Sequence, residues 1–88
     1  MEELEKLREK IDLIDEEIIE RLYVRTDLSK KIGKIKKDMG KDVMDGPREN
    51  IVKNQWEELS KTHDLPADKI VQILDIILSI SRSEQEKV

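Results

Sequence analysis

The sequence predicts an all-α protein, a three-helix protomer with a long first helix, in a single domain over residues 1–88. Three observations carry that expectation. Charged residues make up 43 % of the chain and aromatics only 2 %, with Leu, Ile, Glu and Lys dominant, a profile of long helices rather than sheets. Apolar residues recur at helical spacing through most of the chain. Apart from Gly33, the scarce glycines and prolines fall where helices would stop and restart. Disorder is the rival for so charged a chain. It loses to the strict periodicity and to the near balance of 17 basic and 21 acidic residues.

The first helix is expected from about Glu3 to about Met39, roughly ten turns at 3.6 residues each. In heptads its a positions are Leu4, Ile11, Ile18, Arg25, Ile32 and Met39, and its d positions Leu7, Ile14, Arg21, Leu28 and Ile35. Gly33 lies inside it at a cost of about 1 kcal/mol against Ala, which hints at close approach by another group. Gly40 is the stop. Asp45-Gly46-Pro47 reads as the next start, with a capping carboxylate and Pro in the first turn. The second helix carries Ile51, Val52, Trp56 and Leu59 and should fade between Lys61 and Asp64. Leu65-Pro66-Ala67-Asp68 opens a third, which is apolar on most sides from Ile70 to Ile80 and so should be the most buried element.

Composition also narrows the chemistry. The absence of cysteine removes a disulfide framework, a thiol nucleophile and thiolate metal sites. The single histidine, His63, cannot build a His-based metal centre alone. A net charge of −4 argues against nucleic acid as the main partner. No signal peptide or membrane-length apolar run is present, so a cytoplasmic protein without membrane association is expected.

Arg25 is the informative exception in the apolar seam. A guanidinium stays charged at ordinary pH, so on this seam it must snorkel to water or meet anions. Arg8 and Lys36 flank the same stripe at e positions, and Arg48-Glu49 opens the second helix. Several cations facing an apolar interior suggest a pocket for a small polyanion. Arg25 and Lys36 are about 16 Å apart along the axis, a gap that two long side chains can close on a ligand. Arg8 and Lys36, by contrast, are separated by roughly 42 Å. Arg8 can therefore join the other two only from a second copy of the chain. An antiparallel dimer crossing near residue 19 would bring this about and yield two equal pockets. Eighty-eight residues also build only a modest core, so a long first helix leaves apolar surface for a partner chain to cover.

These residues resemble a known family, the all-helical (AroQ-class, type II) chorismate mutases. The matching pieces are Leu7-Arg8-Glu9-Lys10-Ile11-Asp12 with Asp15, then Arg25, Gly33-Lys34-Ile35-Lys36, Val43-Met44-Asp45 with Arg48-Glu49, and finally Ser81 and Gln85. Any one fragment is weak; the set in register is specific. The resemblance implies three-helix protomers in an intertwined homodimer, and rearrangement of chorismate to prephenate in phenylalanine and tyrosine biosynthesis. By position it implies that Arg8 enters from the partner chain and, with Arg25, binds the substrate's carboxylates. Lys36 and Gln85 would donate to the ether oxygen of the breaking bond. Glu49, with the backbone at Asp45, would hold the ring hydroxyl, Arg48 would add positive potential, and Ser81 would contact the ring carboxylate. A pericyclic rearrangement calls for no nucleophile, proton transfer, metal or cofactor. It asks for orientation of a flexible arm and stabilisation of charge growing on one oxygen. With no dehydratase or regulatory segment in view, a monofunctional isomerase is expected.

Two alternatives remain at this level. One is an isochorismate-pyruvate lyase on the same scaffold, with similar cations; the other is a non-catalytic helical dimerisation module. Singly, the residues have ordinary readings. Arg8 reads as a solvated charge with Asp12 one turn on as its partner, and Lys36 as one lysine of a solvated run. Arg48 and Glu49 read as first-turn charges and Asp45 as a cap, while Ser81 suits helix packing and Gln85 a surface amide. Asp75 places a charge in the third helix where something milder is expected.

Overall fold

The computed structural model describes residues 1–88 and contains three helices: α1 (Glu2–Asp38), α2 (Gly46–Thr62) and α3 (Ala67–Glu86). Each end follows from local chemistry. Acidic Glu2, Glu3 and Glu5 occupy the first turn of α1 and basic Lys36 and Lys37 its last, each complementing the helix dipole. Gly40 takes φ +68°, and the amides of Gly40 and Lys41 donate back to the carbonyls of Lys37 and Lys36 at 3.1 and 2.8 Å, the paired reverse bonds of a Schellman stop. Asp45 caps α2, its carboxylate accepting from the Arg48 amide at 3.1 Å, with Pro47 in the first turn.

The α2–α3 corner uses the same stop without glycine. Asp64 sits at φ 54°, and the amides of Asp64 and Leu65 donate to the carbonyls of Lys61 and Ser60 at 3.2 and 2.8 Å. A left-handed conformation is costly for a residue with a Cβ. Asp64→Gly is therefore expected to stabilise the protein by about 0.5 kcal/mol, read as a small rise in Tm, with a fall in Tm as the contrary result.

The helices form an open assembly in which α3 is the middle element, packed on one side against α1 and on the other against α2. Its inner face presents Leu74, Ile77 and Ser81, all buried and spaced at three and four residues. Small residues allow the close approach: Ser29 and Gly33 on α1 and Ser60 on α2 are buried, with Val52 completing the core. As expected, α3 is the most buried of the three helices, but it is not enclosed on every side. Ile73, Ile76 and Ile80 form a second apolar stripe on α3 that nothing in the chain covers. Asp75 lies on the exposed side, so its charge remains solvated at little cost.

The N-terminal half of α1 projects beyond the other helices. Every residue from Met1 to Arg21 is exposed, Leu4, Leu7, Ile11 and Ile18 included. The molecule measures 57 × 25 × 15 Å. No helix is long and apolar enough to cross a membrane.

Candidate functional site

Where the second half of α1, the start of α2 and the end of α3 converge, they enclose a cavity of about 310 Å³. That is at the small end of the roughly 300–1,000 Å³ of small-molecule sites. Helical spacing aligns the walls. Arg25, Ser29, Ile32 and Lys36 follow one row of α1; Leu78, Ser81, Arg82 and Gln85 follow one row of α3; Asp45, Arg48, Glu49 and Val52 form the first turns of α2.

Contacts across the cavity join residues far apart in sequence. The Arg25 guanidinium donates to Ser81 Oγ at 2.6 Å. Because that oxygen is accepting, the Ser81 hydroxyl keeps its own proton for another acceptor. Lys36 Nζ donates to the Val43 carbonyl at 2.7 Å and to Gln85 Oε1 at 3.0 Å. An ammonium has three donors, so one remains. The same bond fixes the Gln85 amide, since an ammonium can face only its oxygen and the NH2 group is left as a donor.

The site is electropositive. Four cations (Arg25, Lys36, Arg48 and Arg82) line it against two carboxylates (Asp45 and Glu49), a net charge of +2. Glu49 is engaged by Arg82, whose Nη1 donates to both carboxylate oxygens at 2.7 Å, and Asp45 caps α2. Arg25, Lys36 and Arg48 form no ion pair. Burial, and then the positive charge of Arg48, push the Arg25 guanidinium below the ordinary arginine value. Cations held close without a counter-charge are a standing attraction for an anionic ligand. No group of three or more His, Asp or Glu side chains is placed to hold a metal ion.

Of the eight site residues expected from sequence, seven line this cavity: Arg25, Lys36, Asp45, Arg48, Glu49, Ser81 and Gln85. Arg8 does not. Its side chain is exposed and pairs with Glu5 at 3.5 Å, rather than with the expected Asp12, and it lies 17 residues before Arg25, about 26 Å down the helix. Sequence reasoning missed Arg82 and the Val43 carbonyl. A signal existed for Arg82, which lies three residues before Gln85 and so shares its face of α3.

Gly33 explains how Lys36 and Gln85 meet. A Cβ there would lie 2.7 Å from the Cα of Gln85 and 2.9 Å from its Cβ, so the last turn of α3 rests directly on the backbone of α1. Gly33→Ala must push that turn away. The expected result is a loss of about 1–3 kcal/mol of stability, with turnover falling further than Tm accounts for because Gln85 is displaced. Unchanged kinetics in a folded Gly33→Ala protein would contradict this.

A family model described as chorismate mutase type II matches residues 7–86. The chain is 28 % identical to a chorismate mutase of Methanocaldococcus jannaschii over 87 residues, covering 99 % of this chain and 88 % of that one. It is 35 % identical to a bifunctional chorismate mutase/prephenate dehydratase of Aquifex aeolicus over 91 residues, all of this chain but 25 % of that protein. A 4-amino-4-deoxychorismate mutase of Streptomyces venezuelae is 27 % identical over 77 residues, covering 88 % of this chain and 75 % of its own.

Proposed function

The chain belongs to the chorismate mutase type II family, and from that premise we propose that the cavity between its helices is where it rearranges chorismate to prephenate. The activity is that of an isomerase in aromatic amino acid biosynthesis. Chorismate is a dianion with an enolpyruvyl ether and one ring hydroxyl. As the rearrangement proceeds the C–O bond of the ether stretches, a C–C bond forms, and negative charge collects on the ether oxygen. No proton has to move. The protein's tasks are to fold the arm over the ring and to meet that charge with donors already in position.

Lys36 and Gln85 suit the ether oxygen. The bond of 3.0 Å between them leaves one ammonium proton and the amide NH2 as neighbouring donors. This pairing is the observation that carries the assignment. Arg25 grips a carboxylate, steadied by Ser81, whose spare proton serves the ring carboxylate. Arg48 adds positive potential. Glu49, with the backbone at Asp45, accepts from the ring hydroxyl.

The working unit is an antiparallel, intertwined dimer in which Arg8 of each chain completes the other's cavity. Surface area supports this. A globular protein of 10.4 kDa exposes roughly 5,400 Å², whereas this chain exposes 7286 Å². The excess over two chains falls within the roughly 2,000–5,000 Å² of obligate homodimer interfaces. The uncovered stripes of α1 and α3 are apolar, as such an interface requires.

A prephenate-formation assay run beside a sedimentation measurement of mass tests both parts. Prephenate and a mass of two chains are expected. Failure to consume chorismate removes the catalytic assignment, and a stable active monomer removes the dimer.

A further inference from the structure

Arg82 is the one charged residue of the cavity to which the reaction gives no task. It is also the residue whose charge is already spent. Its Nη1 lies 2.7 Å from both oxygens of Glu49, joining α3 to α2, with the two side chains 33 % and 21 % exposed. This is the cavity's one ion pair. The other carboxylate, Asp45, is occupied as the cap of α2. Glu49 is the carboxylate assigned above to the ring hydroxyl, and each of its oxygens keeps a further lone pair beside the bond to Arg82.

Arg82 decides what charge a ring substituent meets there. Unpaired, Glu49 would present a full negative charge and draw a cation. Paired, the two present almost none. A hydroxyl can still donate to Glu49, since a neutral donor needs only an acceptor. An amino group is different, because an alkyl amine is largely ammonium at pH 7. It gains little net attraction from the pair and is repelled by the three unpaired cations around it.

We infer that Arg82, by neutralising and orienting Glu49, makes the cavity select a ring hydroxyl over a ring amino group. The inference rests on the mutase reading of the cavity and names the substrate class that this cavity accepts. An ion pair serving only to tie α3 to α2 would support both substrates alike.

The test compares kcat/KM for chorismate and for 4-amino-4-deoxychorismate, in which an amino group replaces the ring hydroxyl. It uses the full-length wild type, Arg82→Gln, Arg82→Met and Arg82→Lys, with Tm measured for each. Wild type is expected to favour chorismate by about a hundred-fold or more. Arg82→Gln and Arg82→Met should narrow that preference by about ten-fold or more, while Arg82→Lys, which keeps the charge, should hold it within about three-fold. Equal losses on both substrates in the neutral variants would overturn the role of Arg82 and leave the mutase reading standing. So would a wild type that handles the amino substrate as well as chorismate, a result that needs no variant to fold. A wild type active on neither substrate removes the mutase reading, and this inference with it.

Discussion

Lys36→Ala is expected to lower kcat on chorismate by about a hundred-fold or more, with a smaller change in KM and little change in Tm. The asymmetry follows from where the ammonium sits. Its bonds to the Val43 carbonyl and to Gln85 Oε1 link the α1 stop, the following loop and the last turn of α3, yet the side chain is only partly buried. Its removal leaves two acceptors that water can reach, a modest loss to folding. Catalysis loses more. A donor that meets charge present only in the transition state contributes to kcat rather than to ground-state binding. The Gln85 amide also loses the contact that fixes its orientation, so one substitution weakens two donors. A folded Lys36→Ala protein with near-normal kcat would remove Lys36 from the reaction.

Arg8→Ala and Arg25→Ala should each be nearly inactive alone, and equal amounts refolded together should recover about a quarter of wild-type activity. Random pairing makes half the dimers mixed. In a mixed dimer one cavity has its own Arg25 and the other chain's Arg8, while the second cavity lacks both. The recovery therefore tests the shared site and not merely association. Arg8 lies too far along α1 from its own cavity to be counted there. If Arg8 acts within its own chain, or only as a solvated charge beside Glu5, no recovery appears. Dimer mass should persist in both variants. Removing the partly buried Arg25 charge, which Arg48 disfavours further, should leave Tm unchanged or slightly raised.

What could be read from the chain divides by the range of the interaction responsible. Helix boundaries were legible to within a residue or two because Gly40, Asp45 and Pro47 act on their immediate neighbours. Asp64 was harder, since a non-glycine residue in a left-handed stop leaves only a weak mark. Seven cavity residues were legible because their register along three helices agrees with a known pattern. Arg82 was not, because its meaning depends on Glu49, 33 positions earlier and on another helix. Burial was the least legible property. Leu74 and Ile76 look alike in the sequence, yet one is fully enclosed and the other open, because hydrophobicity signals a need for cover and not its source. Arg8 chose Glu5 over Asp12 on the same principle: i−3 and i+4 neighbours are nearly equivalent in energy, so spacing alone does not choose between them.

The bare first half of α1 bears on how the protein behaves when scarce. Some twenty residues of helix without a neighbouring element are marginal in water, and their order would have to come from association. Dilution would then loosen this arm and empty each cavity of its visiting arginine in a single step. Specific activity should fall off below a threshold protein concentration, and the melting temperature should climb with concentration.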